Sequence, residues 1–234
     1  MALKETLLNV FYPNRCCLCD RVIASGRRYC RACLEKAPYV LPPVCERCGR
    51  GEERCICRGH RRSFERCVSP FYYEAQAETG ILRLKKYGFL PQVRGFAAEM
   101  AEVLRREYGG VGFHVITAVP LYPTDYRRRG FNQSELLAQE LASLLDVPYR
   151  PLLHKVYATR PQKDLTARQR SGNLLGAFDA IDPTLLPGRT VLLVDDVITT
   201  GSTLDECAKM LKIYGADSVY AVTAAASVLK NDGE

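Results

Sequence analysis

The stretch Val191-Leu192-Leu193-Val194-Asp195-Asp196-Val197-Ile198-Thr199-Thr200-Gly201-Ser202-Thr203 constrains the fold more than any other part of the chain. Four consecutive apolar residues with no polar alternation predict a strand covered on both faces, as in a parallel sheet with helices above and below. Such sheets present their functional groups at the carboxyl ends of the strands. At that end Asp195 and Asp196 offer acceptor-only oxygens, suited to the vicinal hydroxyls of a ribose or to Mg²⁺. Thr199, Thr200, Gly201, Ser202 and Thr203 follow and lead into a helical pattern at Leu204, Ala208 and Leu211. The amides and dipole at a helix start favour phosphate, and the glycine permits the tight turn. The expected ligand class is a sugar phosphate. A simpler role fits the same residues, with Ser202 or Thr203 capping the helix and Glu206 completing a capping box.

A Walker B acidic pair is the rival reading, but the chain has no Gly-x-x-x-x-Gly-Lys-[Ser/Thr] and no Gly-Lys dipeptide. The segment resembles the phosphoribosyl pyrophosphate (PRPP) motif of type I phosphoribosyltransferases. That resemblance implies that Asp195 and Asp196 hold the ribose hydroxyls, with Mg²⁺ accompanying the ligand, and that Thr199 to Thr203 hold the 5-phosphate.

Upstream, Ala118-Val119-Pro120-Leu121 closes a second predicted strand and runs into Tyr126-Arg127-Arg128-Arg129-Gly130-Phe131-Asn132-Gln133. Guanidinium forks match phosphate oxygens, although Arg127 to Arg129 also read as a solvated charge run before a helix capped by Asn132 and Glu135. Together with the cysteine-rich start, these residues resemble the ComF family of competence-associated and GntX-like proteins over almost the whole chain. The likeness implies that Val119 and Pro120 open the loop facing pyrophosphate, and that Arg127, Arg128 and Arg129 flank it. It also marks Lys85, in Leu84-Lys85-Lys86-Tyr87, as a helper. Catalytic roles are implied for Asp195, Asp196 and Arg129. Residues 159–178 read as a polar loop of the kind that closes over active sites. Its Gln162 and Arg170 resemble the flexible loop of the transferases.

Ten of the 11 cysteines precede residue 68. Cys16-x-x-Cys19, Cys30-x-x-Cys33 and Cys45-x-x-Cys48 have the spacing that aims two thiolates at one metal, and Cys55-x-Cys57 approximates a fourth pair. The set predicts one or two structural Zn²⁺ sites. Sequential and cross-braced pairings both remain open, and Cys67 is a substitute for one of the last pair. A disulfide framework would need an oxidising compartment, for which the sequence carries no signal.

Charge is equally uneven. Residues 1–70 hold 14 Lys and Arg against 7 Asp and Glu, and the remainder balances at 19 against 19. Two zinc tetrathiolates, each about −2, still leave this half near +3. The arginines, with Tyr29, Tyr39 or Phe64 to stack on bases, make single-stranded DNA an expected partner; a solvated exterior around a small zinc module is the plainer alternative.

The overall expectation is an α/β fold: a type I phosphoribosyltransferase-like parallel sheet flanked by helices (67–234), behind a small zinc-ribbon-like module (1–66). Strands are predicted at Val68–Tyr73, Val115–Val119, in the motif itself and at Val219–Thr223. Helices are predicted at Thr79–Tyr87, Val93–Tyr108 and Gln133–Leu145, and after the motif as far as Tyr214. Residues 2–12 suit a docking helix rather than a signal peptide, and no apolar run reaches the ~20 residues of a membrane span, so a cytoplasmic location without membrane insertion is expected. His114 and His154 lack evident partners, which disfavours a histidine base. A chain beginning Met1-Ala2 offers no N-terminal cysteine for glutamine-dependent ammonia transfer. Two function classes follow: transfer of phosphoribose from PRPP to an unread acceptor, or a PRPP-sensing or DNA-binding protein with DNA-uptake or helicase-type partners.

Overall fold

A computed structural model of the chain describes residues 13–24, 26–55, 57, 61–88, 90–157 and 176–228. Five strands form one all-parallel sheet: β1 (Cys67–Val68), β2 (Phe71–Tyr72), β3 (Val115–Ala118), β6 (Thr190–Ile198) and β7 (Ser218–Ala226). β7 lies between β6 and the β1/β2 edge, and β3 flanks β6 on the other side. A separate antiparallel pair, β4 (Leu153–Lys155) with β5 (Phe178–Ala180), stands beside the sheet and was not foreseen.

The uninterrupted apolar run of β6 is explained by its two coverings. Leu192 and Val194 face a core shared with α2 (Ala75–Tyr87), α3 (Leu90–Tyr108) and α5 (Gln133–Leu145), whereas Val191 and Leu193 face α6 (Ser202–Ile213). Alternate side chains serve opposite faces, so no position is left for a polar residue. Each such side chain, fully removed from water, contributes roughly 1.5–3 kcal/mol.

Several expected boundaries move for physical reasons. The strand expected at 68–73 is split, because Pro70 has no amide to donate. Ser69 turns inward instead, to hydrogen-bond Thr223 (Oγ···Oγ1 2.7 Å). The last strand runs on to Ala226, where small residues pack with no exposure. The three arginines lie on a short helix, α4 (Pro123–Arg129), ended by Gly130 in a left-handed conformation. His114 sits just before β3, and its Nδ1 accepts from the Thr190 amide at 3.0 Å, a partner the sequence did not reveal.

The cysteine-rich half is docked on this frame. Its first knuckle places Cys17 against glycines of α2 and α3: a Cβ at Gly80 would lie 2.6 Å from the Cys17 carbonyl oxygen, and one at Gly95 only 2.3 Å from Cys17 Cβ. Asp20 accepts from Arg83 (2.8 Å) and Gln92 (3.3 Å) beside this contact. A short helix, α1 (Arg31–Lys36), carries Cys33. The expected docking helix 2–12 lies outside the described residues. The stretch before residue 67 already joins the sheet, with Glu65 N donating to Val219 O and Ala221 N to Arg66 O, both at 2.8 Å. Among the described residues no helix is long and apolar enough to cross a membrane.

Candidate functional site

The carboxyl ends of β3 and β6 open onto a cleft of about 630 Å³ whose wall includes Tyr73, Lys85, Val119, Pro120, Arg129, Lys155, Asp195, Asp196, Thr199, Gly201 and Thr203. Asp195 Oδ1 accepts from Ser134 Oγ and from the Asp196 amide, both at 2.8 Å. Burial, and then the Asp196 carboxylate beside it, push the Asp195 carboxyl up to about 7. Asp196 is 6% exposed, and its buried Oδ2 makes no hydrogen bond but faces Lys85 Nζ at 3.4 Å. That carboxylate holds the Lys85 ammonium above its ordinary value in spite of burial. Lys85, reachable in sequence only through a resemblance, lies in the last turn of α2 and meets the acid pair there.

The turn after β6 is shaped by Gly201, whose φ of +82° suits glycine and which has no side chain to cap α6; the Ser202 amide donates to Thr200 Oγ1 at a long 3.4 Å. The expected Ser202/Thr203–Glu206 capping box does not form. Thr200 Oγ1 and Ser202 Oγ pair with each other at 2.9 Å, and Glu206 is drawn away to accept from the Gly176 amide at 2.7 Å. The start of α6 therefore opens on the cleft next to the two carboxylates. On the opposite rim Val119 follows β3, its carbonyl held by Asn132 Nδ2 (2.9 Å). Asn132 caps α5 through the Ser134 amide (3.1 Å) as its sequence implied, but Glu135 bonds the Tyr149 hydroxyl instead of completing a box.

The three arginines separate. Arg129 lines the cleft and reaches Gln133 Oε1. Arg128 is exposed and paired with Asp125 (2.9 Å), and Arg127 is exposed. Gln162 and Arg170 lie outside the described residues.

Two cysteine groups assemble in sequential order. The sulfurs of Cys16, Cys19, Cys30 and Cys33, and those of Cys45, Cys48, Cys55 and Cys57, each lie within 4.8 Å of one another. The Sγ···Sγ distances are 3.6 Å for Cys19–Cys30 and 4.0 Å for Cys45–Cys57 and Cys48–Cys55. A tetrahedral zinc with Zn–S bonds of about 2.3 Å needs sulfurs about 3.8 Å apart, so both groups suit zinc. Cys67 is in neither group; it is fully buried in β1.

Many arginines expected on a nucleic-acid face are already engaged. Arg28 meets Glu99 and Glu102, Arg31 meets Glu35, Arg54 meets Glu74, and Arg66 meets Glu107. Arg27, Arg47 and Arg61 carry no ion pair among the described residues.

A parallel sheet bearing an acid pair and a hydroxyl-rich turn, preceded by two four-cysteine knuckles, defines a phosphoribosyltransferase-fold protein with a double zinc ribbon. Residues 132–234 match the phosphoribosyl transferase domain, and residues 7–68 match the double zinc ribbon domain. DNA utilization protein YhgH from Salmonella typhimurium is 32% identical over 212 residues, covering 87% of this chain and 86% of that protein. Competence protein F from Haemophilus influenzae is 44% identical over 106 residues, covering 44% of this chain and 46% of that protein. The chain belongs to the ComF family. Adenine phosphoribosyltransferase from Saccharomyces cerevisiae is a far looser likeness, 17% identical over 61% of this chain and 72% of that one, with a TM-score of 0.40.

Sequence reasoning missed Ser134, Tyr73 and Lys155 at the cleft. Lys155, on β4, has its ammonium held below the ordinary lysine value by burial, and its Nζ lies 5.8 Å from the Phe178 ring. Nothing near Lys155 in sequence distinguishes it; only the β4–β5 pairing brings it to the cleft. Ser134 was readable as a helix N-terminal residue, without any sign that it would reach Asp195.

Proposed function

We propose that this cleft binds PRPP with Mg²⁺ and that the protein transfers the phosphoribosyl group to an acceptor, releasing pyrophosphate. One observation carries the reading: the acid pair, the glycine-led start of α6 and the cations Lys85 and Arg129 converge on one cleft. In this reading Asp195 and Asp196 accept the ribose hydroxyls, while Thr199, Thr200, Gly201, Ser202 and Thr203 surround the 5-phosphate. Val119 and Pro120 supply backbone toward the pyrophosphate, and Arg129 and Lys85 meet its negative charge. Mg²⁺, when bound, neutralises part of that charge, and the Asp195–Asp196 oxygens have the chemistry to take part in holding it. By the family resemblance Gln162 and Arg170, which lie outside the described residues, are further side chains assigned to this ligand.

The reaction needs no covalent nucleophile. The acceptor attacks C1 as the bond to the pyrophosphate oxygen breaks, and the electron pair leaves with pyrophosphate. Cations already in place before the bond breaks stabilise that charge without reorganisation. Calorimetric titration of the zinc-loaded protein with PRPP, with and without Mg²⁺, tests the reading. Mg²⁺-dependent binding lost in Asp195→Asn/Asp196→Asn supports it, and absence of binding in the wild type overturns it. Acceptors can then be screened by pyrophosphate release.

A second reading has its own observation. A groove of about 660 Å³ between the first knuckle and α3 is lined by Arg27, Arg28, Arg31 and Arg106 with Tyr39, and also by Glu99 and Glu102; Arg27, which carries no ion pair among the described residues, and the Tyr39 ring are the groups there that suit single-stranded DNA. Relatives named for competence and for DNA utilization point the same way; on this reading the partners are DNA-uptake or helicase-type proteins of the cytoplasm. Salt-dependent binding of a labelled oligonucleotide, unaffected by Asp195→Asn/Asp196→Asn, is the expected result; no measurable affinity at low salt would sink this reading.

A further inference from the structure

The second cysteine cluster does more than stabilise the cysteine-rich half. We propose that it is a metal-dependent positioning element for the turn after β6, acting through Arg50; the identity of the ligand that profits rests on the PRPP reading above.

Arg50 is among the largest fully buried side chains, 1% exposed, and no carboxylate pairs with it among the described residues. Its Nε donates to the Ser227 carbonyl at 2.9 Å, and one terminal nitrogen donates to the carbonyls of Ile198 (3.0 Å) and Thr199 (2.6 Å). These are the ends of β7 and β6, the second leading directly into the hydroxyl-rich turn. Arg62 adds Thr200, donating to its carbonyl at 2.7 Å. Three consecutive carbonyls of that turn, Ile198, Thr199 and Thr200, are therefore held by arginines from the cysteine-rich half. The packing between them is close, with only about 10 Å³ of free space among Cys48, Arg50, Cys57, Arg62, Ile198 and Gly201.

A buried guanidinium without an anion is costly. The cluster is directly attached to this side chain: Arg50 follows Cys48 by two residues, and the knuckle is closed by Gly49 N to Cys45 O (2.9 Å) and Cys45 N to Arg50 O (2.7 Å). A zinc tetrathiolate carries about −2, which compensates Arg50, and the metal fixes the turn that aims it. Without metal the knuckle loses the tie that closes it, and with it the frame that aims Arg50 at the strand ends. The turn after β6 would then keep its sequence and its glycine but lose the external reference that sets its shape, and preorganised amides lose affinity for an anion when they must be ordered on binding.

The test uses full-length, zinc-loaded protein and two readouts: PRPP affinity by calorimetry, and amide hydrogen exchange in peptides covering residues 198–203 compared with β3. Arg50→Met is expected to weaken PRPP at least tenfold and speed exchange at 198–203 while β3 and the zinc content stay unchanged. Arg50→Lys, which keeps charge without the fork, should lie between. If Arg50→Met does not fold, Cys45→Ser/Cys55→Ser, with the second metal lost and Arg50 retained, must give the same local exchange. Wild-type exchange and affinity in these variants overturn the proposal. Should the wild type fail to bind PRPP, the ligand reading falls, and the exchange data alone still decide whether the cluster holds the turn.

Discussion

The two cysteine clusters use the same ligands in the same order, yet they are seated differently. The first, Cys16 to Cys33, lies on the helices: Cys16, Cys30 and Cys33 belong to the core that α2 and α3 share with the sheet, and Cys17 fills the space left by Gly80 and Gly95. The second, Cys45 to Cys57, lies on the ends of strands, where the Cys67 amide donates to Arg47 O and Arg50 reaches the β6 and β7 carbonyls. Apolar docking stabilises the fold, and polar docking at strand ends shapes whatever those ends carry. The first cluster should therefore govern stability, and the second the site.

The widest separation is expected from removing one cluster at a time. Cys33→Ser opens a metal site at a residue only 3% exposed and packed in the main core, and structural zinc in small modules is worth about 10 kcal/mol or more of folding energy. We expect loss of soluble protein or a melting point more than about 10 °C lower. Cys45→Ser/Cys55→Ser affects two partly exposed ligands and should leave a cooperative, slightly earlier melt with weakened PRPP binding. Circular dichroism melts of both proteins check this, and equal collapse of the two would break the comparison.

Glycines that admit each knuckle give a gentler version. Gly95→Ala pushes a Cβ to 2.5 Å from Cys17 Sγ and should cost about 1–3 kcal/mol without changing PRPP affinity; Cys17→Ala should recover part of that loss. Gly49→Ala combines a positive φ of +65° with a Cβ 2.3 Å from the Cys67 carbonyl oxygen, so it should lower both stability and affinity. Chemical denaturation and calorimetry on the same samples separate the two outcomes.

The acid pair can be isolated from both clusters by pH. Asp195 titrates near 7 when folded against 3.8 as the reference, so the folded state binds the extra proton, and the unliganded protein should lose stability as pH rises from about 4 to 7. Asp195→Asn keeps an acceptor for Ser134 and removes the charge. It is expected to be more stable than the wild type by about 1–2 kcal/mol at pH 8, to match it at pH 4, and to bind no PRPP at either. Wild-type affinity should rise between pH 6 and 8 with uptake of ligand by the ionised pair. A stability difference that is the same at both pH values would show that the burial cost of Asp195 has been misread.

Much of this arrangement was legible in the residues. Val191 to Val194 announced a doubly covered strand, and the spacing of the cysteines announced tetrahedral sites, because both signals are local and periodic. The order of pairing was not legible, since sequential and crossed clusters use identical spacings. Nor was Arg50: the twelve arginines of residues 1–70 look alike, and only the fold turns Arg28 toward Glu99 and Arg50 toward three carbonyls. The capping boxes at Thr203 and Asn132 failed as sequence rules because Glu206 and Glu135 found better-placed partners at Gly176 and Tyr149, contacts between segments far apart in the chain.

The smallest effects should come from the arginines at the margins of the two docking surfaces. Arg28 bridges to Glu99 (3.2 Å) and Glu102 (2.9 Å) from the first cluster with its side chain 42% exposed, and an ion pair so wet contributes under about 1 kcal/mol. Arg62 reaches Asp205 (3.6 Å) and the Thr200 carbonyl (2.7 Å) from beyond the second cluster, with 21% exposed. Arg28→Ala should lower the melting point by a few degrees at most and leave PRPP affinity alone. Arg62→Ala should barely move the melting point but weaken PRPP by about two- to fivefold, because it frees one carbonyl of the turn while Arg50 still holds the other two. High salt should erase the Arg28 effect and leave that of Arg62, whose bond to a carbonyl is short-ranged and shielded. If instead Arg28→Ala weakens the ligand as much as Arg62→Ala does, the two clusters communicate through the body of the sheet, and their division into one for the fold and one for the site is wrong.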